Sequence, residues 1–254
     1  MDVAQTCKNC HQIFQGSYCN FCGQKVAHRL TTPHVFHELL HVFTHADKGI
    51  LSLIPTILFR PGKFALDYVE GKRKRYFSIF QYLILLVGVV TFLMAKSHYL
   101  ENLTQSLNAG SPGSLRVQTV QKQMMGGLQQ YMNLVLFALL PVFSLFSWLV
   151  FRSKKYNYAE HFVLQAAVQA QINTFILIFI IPLAFLLQKE QQKILLPITI
   201  VLFVVCTTTA IRQFFNVSWL QAFLKGLVVY ILTNIIQLIL TIVATVLLVM
   251  KYKG

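Results

Sequence analysis

The stretch 72-KRKRYFSIFQYLILLVGVVTFLMA-95 sets four consecutive cations and Tyr76 against a run, 79–95, that contains no charged side chain. A helix rises ~1.5 Å per residue, and about 17 apolar residues are the least that can cross a bilayer core of ~30 Å. Working outward, four further runs have the same character: 131–151, 162–187, 194–211 and 227–250. None carries an ionisable residue at its centre. No alternating pattern of the kind a barrel needs is present, and in lipid a helix is the remaining way to satisfy every backbone group. Tyr76, Tyr82, Tyr131, Trp148, Tyr156, Trp219 and Tyr252 fall near the ends of these runs, where an aromatic belt belongs. The expectation is an all-α membrane protein with about five transmembrane helices.

Composition agrees. Of 254 residues, 56% are hydrophobic and 12% charged, whereas soluble domains carry about 25% charged residues. The net charge is +14, from 22 Lys+Arg against 8 Asp+Glu. A basic excess suits nucleic acid or an anionic membrane surface. Here the cations flank apolar blocks, so the lipid bilayer is the expected partner and nucleic acid is disfavoured. Arg60, Lys63, Lys72, Arg73, Lys74 and Arg75 precede the first run, and Arg152, Lys154 and Lys155 follow the second. Charges close to span ends set orientation, which predicts a cytosolic N-terminus and, after five crossings, a C-terminus on the opposite side. Lys72, Arg73, Lys74 and Arg75 read as that topology signal, or as a site for anionic lipid.

Ahead of the helices, Cys7-Lys8-Asn9-Cys10 and Cys19-Asn20-Phe21-Cys22-Gly23 form C-x2-C-x8-C-x2-C. Each pair can place two thiolates on one metal, and together they close a tetrahedral shell. A unit of some 25 residues has too little core to fold alone, so metal binding would supply its folding energy. Zn2+ is the expected ion, in a structural or protein-binding role, with iron or redox-active thiols as alternatives. Residues 1–30 show no apolar leader segment, which keeps these thiols in a reducing compartment. The fifth cysteine, Cys206, lies alone beside Thr207, Thr208 and Thr209 and reads as small-residue packing.

Between ribbon and spans, residues 31–46 read as an amphipathic helix, with Thr32 as N-cap and Pro33 at its first position. Phe36, Leu39, Leu40 and Phe43 make its apolar face. His34, His37, His41 and His45, with Glu38, line the opposite face. That stripe is the polar side of an interfacial helix, a second metal site, or a pH sensor. The apolar segment 50–59 is too short to span and is expected at the interface or against the bundle, interrupted by Pro55. Arg60-Pro61-Gly62 make a turn before a short helix over 63–70. Residues 96–130 are the one long loop. The parts are 1–30 (zinc ribbon), 31–78 (amphipathic and interfacial helices with the basic segment) and 79–254 (the five-helix transmembrane domain).

Two spans carry polar stripes. His161, Gln165, Gln169 and Asn173 recur every four residues in the third, with Glu160 at its start. Asn234 and Gln237, with Thr241 and Thr245, line the fifth. Polar side chains in lipid turn inward and find partners, so the two stripes are expected to face each other or a shared cavity. They serve interhelical hydrogen bonding or a polar path.

Cys22-Gly23-Gln24, Asp47-Lys48-Gly49, Arg60-Pro61-Gly62, Gly71-Lys72-Arg73 and Tyr76, followed by a span, resemble a bacterial family of multi-pass membrane proteins with an N-terminal zinc ribbon, defined only as a domain of unknown function. The resemblance covers about residues 7–95. Tyr158-Ala159-Glu160-His161 also looks like an element of that family. Its members often carry more histidines after this point, where this chain has Gln165 and Gln169. The resemblance implies the architecture and a bacterial inner membrane, with the C-terminus then periplasmic, and supplies no activity.

With eight acids, and no nucleophile elbow, phosphate loop or H-E-x-x-H, the expectation leans away from an enzyme. The leading reading is a scaffold or accessory subunit that docks a cytosolic protein through its ribbon. The alternatives are a small-molecule or lipid transporter using the third and fifth spans, and a membrane-surface metalloenzyme built on the histidine stripe.

Overall fold

A computed structural model of the chain describes residues 4–33, 50–74, 76–99, 101–103 and 132–253, with side chains described except at 50–52, 132, 133, 136 and 240–253. The histidine stripe of 34–45, most of the 96–130 loop and Arg75 lie outside the described residues. Thr32 and Pro33 are helical.

Strands β1 (Gln5–Thr6) and β2 (Ile13–Phe14) form a two-stranded antiparallel hairpin, pairing Gln5 with Phe14 and Thr6 with Ile13. Helices α1 (Ile50–Phe59), α2 (Pro61–Val69), α3 (Ile79–Lys96), α4 (Met132–Ala138), α5 (Leu140–Val150) and α6 (Tyr158–Phe175) follow. A π-helical turn (Ile176–Ile180) joins α6 to α7 (Ile181–Leu186), and a 3-10 turn (Gln192–Ile194) leads into α8 (Leu195–Phe215) and α9 (Trp219–Lys253).

Among the described residues, four helical segments are long and apolar enough to cross a membrane: Ile79–Lys96, Tyr158–Leu186, Gln192–Phe215 and Trp219–Ile239. The run expected over 131–151 is instead two pieces. Pro141 has no N–H and its ring crowds the carbonyl four residues earlier. The ladder therefore breaks at Leu139, whose carbonyl accepts both the Val142 and Phe143 N–H groups.

Other boundaries also move. The third span begins at Tyr158, earlier than 162, because Asn157 caps it. The Asn157 side chain accepts the Glu160 N–H and the Glu160 carboxylate accepts the Asn157 N–H, a complete capping box. The last helix begins at Trp219, earlier than 227. α8 ends at Asn216, which takes the left-handed conformation (φ 49) common at helix C-termini. α1 runs through Pro55, and α2 starts at Pro61 itself, the first-turn position where a missing N–H costs nothing.

The layering is polar inside and apolar outside. α6 is buried on every side from Ala159 to Thr174, walled by α1, α2, α3, α5 and α8. The exposed side chains are oily: Leu85 and Phe92 on α3, Val201 and Val205 on α8, Leu220, Leu224, Ile231 and Leu238 on α9. In water so continuous an apolar surface would drive association; in lipid it is the favoured face.

α1 and α2 lie against this bundle, as expected for a segment too short to cross, with Leu53, Ile57, Phe64, Ala65 and Tyr68 in the core. The Arg60-Pro61-Gly62 break leaves carbonyls at the end of α1 without helical partners. Gln171 of α6 donates to the Leu58 carbonyl (2.8 Å) and Gln213 of α8 to that of Phe59 (3.1 Å). The Gln213 side-chain oxygen in turn accepts the Gly62 N–H at 3.1 Å. Gly62 lets α2 press closely on α8: a Cβ there would run into the Ala210 carbonyl oxygen.

Candidate metal centre

The two C-x-x-C turns are built alike. The Cys7 N–H bonds the Gln12 carbonyl at 2.8 Å, and the Cys19 N–H bonds that of Gln24 at 2.9 Å. The His11 N–H returns to the Cys7 carbonyl, and the Gly23 N–H to that of Cys19, each at 2.9 Å. His11 (φ 61) and Gly23 (φ 69) both take the left-handed conformation after the second cysteine. The repeat is therefore C-x-x-C-x-Q, in which glycine suits the second copy and histidine bears the strain in the first. Paired residues flank both turns: β1 and β2 around the first, and a bridge between Tyr18 and Lys25 around the second.

This geometry brings all four sulfurs within 4.8 Å of one another. Cys7 Sγ lies 3.6 Å from Cys22 Sγ, and Cys10 Sγ lies 3.6 Å from Cys19 Sγ. A tetrahedral ion with metal–sulfur bonds of ~2.3 Å would set sulfurs ~3.8 Å apart, so the donor set fits a thiophilic ion held by four thiolates with no open position. The electrostatics prepare one thiolate. The Asn9 side chain and the Gln24 N–H lower Cys22 to about 6. Cys10 moves the other way, up to about 12: the Gln12 N–H favours its thiolate, but burial and the three neighbouring sulfurs outweigh it. Cys206 sits apart, buried in α8.

Residues 24–30 clamp this unit onto the helices. Lys74 N–H donates to Gln24 Oε1 (2.8 Å), and Arg73 Nη2 to the His28 carbonyl (3.2 Å). Ala27 packs over Gly71 (φ 97), where a Cβ would come within 2.5 Å of the Ala27 Cβ. Leu30 is fully buried in the main core, and its carbonyl accepts from Asn157 Nδ2 (2.9 Å). Arg29 grips the start of α6: Nε donates to Glu160 Oε1 (2.9 Å), and Nη2 to Glu160 Oε2 (3.1 Å) and to the Lys155 carbonyl (2.6 Å).

Side chains of the basic cluster take part in this corner of the structure. Lys72 pairs with Asp67 (2.7 Å) and Glu70 (3.0 Å), which also raise its pKa, Asp67 most. Arg73 also donates to the Tyr68 carbonyl and lies over the Tyr68 ring. Lys72 is thus held by acids at the end of α2 itself, while Arg73 joins α2 to the ribbon segment.

Among the described residues, α9 packs chiefly on α8 and α5; the side chains of Thr241 and Thr245 lie outside them. Asn234 Nδ2 bonds the Tyr230 carbonyl within its own helix, and Gln237 is half-buried there. His161, Gln165, Gln169 and Asn173 lie inside the α6 packing instead.

Several residues to which the motif reading gave no role prove central: His11, Gln12, Gln24, Arg29 and Asn157. The C-x-x-C-x-Q repeat and the Asn157-x-x-Glu160 box were visible signals for four of them. Nothing local announces Arg29.

These features define a helical bundle of membrane-spanning character that carries a four-cysteine ribbon fastened to the start of its central helix. A family model described as a protein of unknown function (DUF3667) matches residues 47–91, the segment that holds α1, α2, the basic link and most of α3. No curated protein and no solved structure matches the chain.

Proposed function

We propose that this chain is a bacterial inner-membrane protein that presents a zinc-filled ribbon to a cytosolic protein partner, acting as a scaffold or accessory subunit. One observation carries this reading. The metal-facing side of the ribbon is closed, while Ile13, Tyr18 and Phe21 on its outside are 69%, 57% and 72% exposed, with Phe21 between the two cysteines of the second turn. Apolar and aromatic residues held outward on a rigid, metal-pinned turn suit protein contact, where aromatic anchors contribute most. The closed shell suits structure over catalysis. The clamp fixes the ribbon to α6, so a partner would be held at a set position relative to the helices.

The test is photo-crosslinking in cells from a reactive amino acid at Phe21. The expected result is one dominant protein adduct that disappears in the Cys22→Ser chain while the protein stays in the membrane fraction. Crosslinks to phospholipid alone would overturn the reading.

A further inference from the structure

The central helix holds more polar groups than its neighbours satisfy. His161, Gln165, Gln169 and Asn173 are 0%, 3%, 5% and 5% exposed. Ser147 Oγ meets His161 Nδ1 at 2.8 Å, and Asn173 Nδ2 donates to the Gln169 carbonyl at 2.9 Å. The remaining ends, His161 Nε2, Gln165 Nε2 and Asn173 Oδ1, are buried with no protein partner. A buried polar atom left unpaired costs its full desolvation, and apolar groups of the same shape would avoid that cost.

His161 and Gln165 are one turn apart on the same face. Asn173 lies ~18 Å from His161 along the helix and, at ~3.6 residues per turn, about 120° around it, so its oxygen faces other neighbours. Just beyond Asn173 the helix opens into the π-helical turn Ile176–Ile180, with the Ile181 N–H reaching five residues back to the Ile176 carbonyl. Such turns occur often at functional positions. At the other end, Glu160 is neutralised by Arg29, whose guanidinium reaches the aqueous surface.

We infer that the His161–Gln165 face of α6 is an internal hydration site, where buried water bridges the His161 imidazole and the Gln165 amide. Water fits where a larger ligand does not. It both donates and accepts, so it serves the Gln165 N–H and the imidazole nitrogen alike, and a buried water needs only two to four polar partners. Of His161, Gln165, Gln169 and Asn173, only His161 is ionisable, which suits a neutral ligand.

The inference is independent of the ribbon's role. X-ray radiolysis of the purified full-length protein in detergent, followed by mass spectrometry, reports side chains beside internal water. Oxidation of His161 is expected at a dose comparable to that which labels exposed Phe21. In Gln165→Leu, His161 labelling is expected to fall and the thermal midpoint to drop by several degrees. An unlabelled His161 at doses that label Phe21 would overturn the inference. So would a Gln165→Leu chain as stable as the parent with labelling unchanged.

Discussion

Glu160 divides its two oxygens between neighbours from distant parts of the chain. Oε1 takes Arg29 Nε, while Oε2 takes both the Asn157 N–H (2.7 Å) and Arg29 Nη2. Glu160 is buried and Arg29 largely exposed, so removing either partner has different consequences. Glu160→Ala loses the capping box and the helix-dipole partner, and a drop of about 1 kcal/mol or more is expected by thermal or denaturant unfolding in detergent. Arg29→Ala leaves the cap intact and lets water replace the guanidinium. Its expected effect is local: residues 24–30 become cleavable by added protease while the midpoint barely moves. A parent-like protease pattern would show that the ion pair does not fasten the ribbon. At the metal centre the sign of the pH effect follows from the ligands. Protons compete with the ion for the four thiolates, so metal affinity falls as pH falls. Acid titration of the metal-loaded protein is therefore expected to release one metal per chain, read by a chromogenic chelator. Loading at neutral pH must also displace the Cys10 proton, measurable as acidification of weakly buffered solution.

Among the elements, the α1–α2 pair shows how a break in a helix is made tolerable within a bundle. Proline and glycine at 61 and 62 free backbone groups, and Gln171 and Gln213 take them up. The same glycine lets the α2 backbone press on α8. Gly62→Ala puts a carbon against the Ala210 carbonyl, with Gln213 Cβ at 2.6 Å and the Phe214 nitrogen at 2.8 Å. Backbone cannot step aside as a side chain can, so a loss of about 1–3 kcal/mol is expected in the unfolding midpoint. Gly226→Ala is the control, because its nearest neighbour is the tip of Ile211 at 3.2 Å. Equal midpoints for the two variants would refute the close-contact account.

At the scale of the whole molecule, sidedness turns on the kinked α4–α5 pair. Four long apolar segments alone would return the chain to its starting side. A crossing by 132–150 as well would put the two termini on opposite sides. If the ribbon is cytosolic in a bacterial inner membrane, as proposed, a periplasm-active reporter fused after Gly254 is expected to be active, and to fall silent when 132–150 are deleted. Activity that survives the deletion would contradict a crossing there. Much of this molecule was legible in its residues because the relevant physics is local. Runs without charge become membrane-length helices, and two C-x-x-C pairs converge because each turn spans only a few bonds. The amphipathic and capping rules were less decisive where α6 is buried all round, because a helix without a solvent face has no stripe to read. What sequence alone determined is the class: apolar helices with a four-thiolate ribbon ahead of them. Only the tertiary structure decided which polar groups meet, such as Arg29 with Glu160, 131 residues apart, or Gln171 with the Leu58 carbonyl, 113 apart. The reason is that local geometry orients a side chain on its own element, whereas its partner is whatever the packing of other elements carries to that point.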